Sequence, residues 1–212
     1  MSKGLLVVVS RFSGSAKGTL MKALTTRYEG YALSVSATSR APREGEVDGR
    51  EYFFLSEERF REMIRNDELV EYAQYVGNFY GTPRSFVEEK RSQGLDVLLE
   101  IEIQGARNIR RHYPDALLVF VTPPSAEELR KRLVGRGTET MDVIKGRLRR
   151  AIQEADGVEL YDYILVNDDI DTCTEKLHNL IRAARERAPR HTDMIEEIRN
   201  DLRRIGDAAS NI

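Results

Sequence analysis

Apolar residues along this chain follow two rhythms. Leu5 to Ser10, Asp96 to Ile103, Ala116 to Thr122 and Tyr161 to Val166 are short, largely apolar runs and read as strands. Between them lie longer segments whose apolar positions recur at helical spacing, as with Leu20 and Leu24 in the segment that opens at Lys17. Runs that are apolar on both faces belong to a parallel sheet covered by helices, so the alternation predicts an α/β fold. The stretch before Asp96 has another texture. EGEVDGREYFF and ELVEYAQYVGNFYGT mix Tyr, Phe, Gly and charge, which predicts short antiparallel strands in an inserted lobe. Residues 135–157, rich in Arg and Glu and bounded by Gly135 and Gly157, read either as a lid or as a solvated helix. Beyond Ala188 and Pro189, MIEEIRNDLRRI reads as a polar helix added to the body.

Composition narrows this picture without redirecting it. With 212 residues, 41% hydrophobic and 32% charged, the chain has the make-up of an ordinary globular protein with a sizeable core. A net charge of −2 argues against a general nucleic-acid or anionic-membrane binder. Cys173 is the single cysteine, so no intrachain disulfide forms, which suits a cytoplasmic protein. No apolar run approaches the length of a membrane span.

Four stretches carry candidate chemistry. The first is Arg11-Phe12-Ser13-Gly14-Ser15-Ala16-Lys17-Gly18-Thr19, a strand-to-helix turn close to the phosphate-binding pattern G-x-x-x-x-G-K-[ST]. Both pattern glycines are replaced, by Arg11 and Ala16, and a left-handed backbone at either would be strained by roughly 1–2 kcal/mol. Arg11 either folds over the loop toward phosphate or fills the pocket. The second stretch places Arg40 and Arg43 in a loop shaped by Pro42 and Gly45, where guanidinium forks suit a dianionic phosphate or pair with Glu44 and Glu46. The third is VLLEIEIQG. Period two sets Glu100 and Glu102 on one face at the carboxyl end of a buried strand, where open α/β sheets bind ligands. Acids aimed at a ligand imply hydrogen-bond donors on it, and guanine has two, with an O6 acceptor for Ser36 or Thr82. The fourth is RKRLVGRGTETMDVIKGRLRRA, whose Arg132, Arg136 and Arg147 either converge on transferring phosphates or form a solvated basic face. Asn167 either faces a purine base or belongs to a helix cap with Asp169 or Asp171.

SVSATSRAPREGEVDGREYFF, EYAQYVGNFYGTPR, VLLEIEIQGA, VFVTPPSAEELRKRLVGRGTET and VNDDID together resemble the guanylate kinase family, in order and spacing, over about residues 4 to 186. The resemblance implies a P-loop nucleoside monophosphate kinase fold: a core (1–33, 96–134, 158–188), a GMP-binding lobe (34–95), a lid (135–157) and a tail (189–212). It implies transfer of the ATP γ-phosphoryl group to GMP with Mg2+. The implied GMP-phosphate contacts are Arg40, Arg43, Tyr52 and Tyr80, with Glu46 nearby; the implied guanine readers are Ser36, Glu71, Thr82 and Glu100. Residues 11–19 and Asn167 are implied for ATP. Lys17, Arg43, Arg132, Arg136 and Arg147 are implied to balance charge during transfer. The metal is implied to be held mainly by nucleotide phosphates, with Thr19 or Glu102 as water-linked candidates. Two positions depart from the family pattern besides the loop glycines: Glu102 stands where Asp is usual and Ser39 replaces a Thr; Gly18 follows the lysine as in many bacterial-type members, which leaves Thr19 as the source of a metal-binding hydroxyl. The altered loop leaves a second reading open, a catalytically impaired binding module for GMP or a phosphopeptide.

Overall fold

The computed structural model describes residues 3–12, 18–75, 77–135 and 141–209. Its core is a five-stranded, all-parallel sheet built from β1 (Leu6–Arg11), β2 (Tyr31–Leu33), β7 (Asp96–Glu100), β8 (Leu117–Thr122) and β9 (Tyr163–Val166) in the order β2-β7-β1-β8-β9. Along β1 the residues alternate between two cores. Leu5, Val7 and Val9 meet Leu20 and Leu24 of α1 (Thr19–Arg27) and Leu177 and Ile181 of α7 (Ile170–Arg185), while Leu6 and Val8 join the cluster of Val87, Ala106 and Ile109. Both faces are covered, which is why the run reads as continuously apolar. Val87 lies on α3 (Arg84–Ser92); Ala106 and Ile109 lie on α4 (Ile103–His112).

The lobe is a separate four-stranded sheet, order β4-β3-β6-β5, from β3 (Ala37–Thr38), β4 (Phe53–Phe54), β5 (Leu69–Tyr75) and β6 (Asn78–Pro83). Its β3–β6 and β5–β6 pairs are antiparallel as expected, but β3–β4 is parallel. Phe60 and Met63 of α2 (Glu57–Arg65) pack with Ala37, Leu69 and Phe79 into the lobe's own core. α5 (Ala126–Val134) and α6 (Met141–Ala155) share a smaller cluster of Leu129, Leu133, Ile144 and Ala151, and α8 (Thr192–Ala209) is the last described element.

Two expectations are corrected. β7 stops at Glu100, and Glu102 is the N-terminal cap residue of α4 rather than a strand residue two places on. Ile103, Ala106 and Ile109 recur at three-residue intervals and bury one helical face, which overrides the two-residue alternation of IEI. The short edge strand β2 carries too little apolar pattern to stand out in the sequence, with Tyr31 and Ala32 partly buried and Leu33 exposed. Among the described residues, no helix is long and apolar enough to cross a membrane.

Candidate functional site

The site opens at the carboxyl ends of β1, β7 and β8, with the lobe facing it. Three regions can be built from their residues.

The first is the mouth of α1. Gly18 caps this helix with φ 86°, a left-handed conformation suited to glycine. α1 has no side-chain cap and no acidic residue in its first turn. By contrast, the serines and aspartate that precede α2, α5 and α7 do cap: Ser56, Ser125 and Asp169 each accept from the backbone N–H three residues on. α3 and α4 lack a side-chain cap too, but of these three amino ends only that of α1 lines a cleft, where its N–H groups and dipole suit an anion. A cleft of about 630 Å³ lies here, bordered by Arg11, Thr19, Thr122, Arg132 and residues 167–170. Arg132 donates to Glu128 at 2.8 Å and to the Asn167 carbonyl at 2.8 Å, so Asn167 holds an arginine with its backbone while bordering the cleft. Phe12 packs edge-on against Phe120, with centroids 4.9 Å apart, so its ring serves the core.

Arg11 is the last residue of β1, aligned with Val121 of β8, and the only positive φ outside glycine among the described residues is at Asp67. Arginine there carries no left-handed strain. Its guanidinium donates to Glu100, answering which way it points. Ser13, Gly14, Ser15, Ala16, Lys17 and Arg136 lie outside the described residues; Arg147 is on α6.

The second region is the arginine loop. Arg40 donates to both carboxylate oxygens of Glu46 at 2.9 Å and lies 5.5 Å from the Tyr52 ring centroid, and the rings of Tyr52 and Tyr80 meet edge-on at 5.9 Å. Glu46 also accepts from the Arg43 backbone N–H at 2.7 Å. That N–H first, and then the Arg40 side chain, hold the Glu46 carboxyl below its ordinary value. Arg43 itself is exposed. Ser39 accepts from the Phe79 N–H at 2.9 Å, so the hydroxyl that replaces threonine still ties the loop to β6.

The third region is the seam between the two sheets. Glu71 on β5 is aligned with Thr82 on β6, and the Thr82 hydroxyl donates to Glu71 at 2.8 Å. Thr82 is fully buried and Glu71 is 7% exposed. Burial foremost, with the charge of Glu102 adding to it and the Thr82 hydroxyl opposing, pushes the Glu71 carboxyl up to about 7. Gly105 of α4 makes room: a Cβ there would lie 2.8 Å from the Glu71 Oε2. Glu102 also pairs with Arg150 of α6, which pairs in turn with the buried Glu154. Glu102 therefore sits toward Glu71, whereas Glu100 sits toward Arg11 and Tyr52, at whose phenol its charge is felt. Ser36 is half-buried just before β3, its carbonyl accepting from the Phe53 N–H at 2.9 Å.

Comparison with known proteins settles the lineage. A model of guanylate kinase matches residues 3–184. The chain belongs to the guanylate kinase family. A guanylate kinase of Clostridioides difficile is 47% identical over 197 residues, 93% of this chain and 96% of that protein. One from Caldanaerobacter subterraneus subsp. tengcongensis is 44% identical over 199 residues, 94% of this chain and 97% of that one. The crystal structure of guanylate kinase from Anaplasma phagocytophilum superposes with a TM-score of 0.75 at 33% identity, covering 92% of this chain and 94% of that one. The fold is that of the guanylate kinase family, and the chain is a nucleoside monophosphate kinase.

Two site residues escape sequence reasoning. Gly105 had a signal, a glycine inside a helical run, which often marks a close approach. Arg150 had none, because nothing in RLRRA separates it from its basic neighbours.

Proposed function

We propose that this guanylate kinase family member transfers the γ-phosphoryl group of ATP to GMP, giving ADP and GDP. The observation that carries the base assignment is the buried Glu71–Thr82 pair at 2.8 Å. Once ionised, Glu71 accepts the two donors of guanine, N1–H and the 2-amino group. Adenine offers no such pair, and a buried carboxylate facing it would be left unsatisfied. Ser36 and Thr82 border the same end, and Glu102, the carboxylate beside Glu71, is the second acid there in place of Glu100. The GMP phosphate lies against Arg40, Arg43, Tyr52 and Tyr80, with Arg40 already oriented by Glu46.

ATP enters the cleft at the amino end of α1, where unpaired N–H groups and the helix dipole favour its phosphates. Phosphoryl transfer asks for alignment and positive charge more than for covalent chemistry. Arg132 supplies charge from the cleft wall, and Lys17, Arg43, Arg136 and Arg147 complete the set by family resemblance. Magnesium fits as a metal carried in on the triphosphate, since among the described residues no group of three or more His, Cys, Asp or Glu is placed to hold an ion. Thr19, which lines the cleft, would lend it a side-chain oxygen, while Glu102 is engaged by Arg150. When bound, the metal neutralises charge on the phosphoryl oxygens. A non-catalytic module is not favoured, because the relatives matched over nearly their full length are guanylate kinases.

A coupled ADP-release assay with GMP, AMP and UMP tests this. GMP is expected to exceed the others at least 100-fold in kcat/KM. Background turnover of GMP at millimolar ATP, or AMP or UMP outperforming it, overturns the reading.

A further inference from the structure

β1 and β7 are neighbouring parallel strands, with Val9 level with Glu100. Arg11, two residues on, leans across and donates to Glu100, and the two side chains are only 13% and 24% exposed. Arg11 borders the cleft, and the charge of Glu100 reaches the Tyr52 phenol of the lobe. The ion pair thus stands on the route between the two nucleotide pockets. Two other carboxylates of the site have arginine partners, Glu46 with Arg40 and Glu102 with Arg150, while the buried Glu71 has the Thr82 hydroxyl. Glu100 has Arg11.

We propose that Arg11 is a positioning residue that holds and neutralises Glu100, so that the phosphates of the two nucleotides can come together beside it. The inference rests on the proposed ATP and GMP pockets. An unpaired carboxylate between two polyanions repels both, and more strongly where burial removes water. The family's glycine at this position could not supply a cation; arginine here makes the loop's first residue an electrostatic partner of β7.

The test is a double-mutant cycle in the full chain, with KM for GMP and ATP and kcat measured separately and folding followed by thermal melts. Arg11→Met is expected to raise both KM values at least tenfold, with a smaller change in kcat, and Arg11→Lys to recover most of the loss. The same Arg11→Met change made in an Glu100→Gln background is expected to raise KM less than threefold, because no charge is left to neutralise. Equal losses in both backgrounds would overturn the proposal and assign Arg11 directly to ATP or to the fold. A gain in activity on Arg11→Met would overturn it too, showing the arginine to be an obstruction. If Arg11→Met alone fails to fold, the comparison of Glu100→Gln with the double variant still decides, since a change above tenfold between them refutes it. Absence of GMP turnover in the parent chain would instead refute the function itself.

Discussion

Glu71 and Glu46 both serve the proposed GMP pocket, and their surroundings drive them in opposite directions. Glu71 lies in the dry seam between the sheets, its carboxyl raised to about 7 chiefly by burial. Glu46 lies in the arginine loop, paired with Arg40, and is held below its ordinary value by the Arg43 N–H and then Arg40. The base end gains discrimination from dehydration, because a donor or acceptor left unmatched there has no water to turn to. The phosphate end gains attraction from the charge of its arginines, which grips any phosphate and identifies none.

Breaking the base end should have the largest effect. Glu71→Gln is expected to raise KM for GMP about 100-fold, the loss of a charge-assisted pair of hydrogen bonds. The same variant should melt at a higher temperature than the parent at pH 8. Because folding raises the carboxyl to about 7, its contribution to stability is full below the unfolded value and lost as pH climbs through 7. Glutamine has no such loss, so calorimetry at pH 8 showing no gain would contradict the burial argument.

An intermediate effect is expected at the other end. Arg40→Met should raise KM for GMP about 30-fold at low salt. The gap from the parent should narrow as ionic strength rises, since the removed interaction is screened. GMP, IMP and AMP should suffer alike, because Arg40 reads phosphate and not base; a change in base preference would erase the distinction between the two ends.

The smallest effect sharpens the comparison without any substitution. Guanine's donors require Glu71 ionised, so GMP binding should release a proton near pH 7. Affinity should then climb about tenfold from pH 6 to pH 8 and flatten above. Isothermal titration in buffers of different ionisation enthalpy measures that proton. The slope that survives in Glu71→Gln belongs to the GMP phosphate, whose own second ionisation falls near pH 6.

How far the sequence revealed these two ends follows from their physics. The core strands were legible because burial on both faces forces unbroken apolar runs, and α1 because Leu20 and Leu24 repeat at helical spacing. The arginine loop was legible because Pro42 and Gly45 frame Arg40 and Arg43 within a short stretch. The seam was not. Glu71, Gly105 and Glu102 are brought together from β5 and α4, and period two carried the strand past Glu100 because IEI alternates like a strand although Ile103 opens a helix. Nor could local pattern choose between two fates for Arg11, since its partner is 89 residues away.

The left-handed cap at Gly18 has a consequence for how this loop can change over generations. Where phosphate is gripped by backbone N–H groups, as proposed at the mouth of α1, the grip is blind to the side chains beside them, so heredity can vary those letters. Gly18 is exempt from that freedom, because its φ of 86° would be strained in any residue with a Cβ. Drift at the loop is therefore pinned at one end by a conformation, whatever spelling the rest adopts.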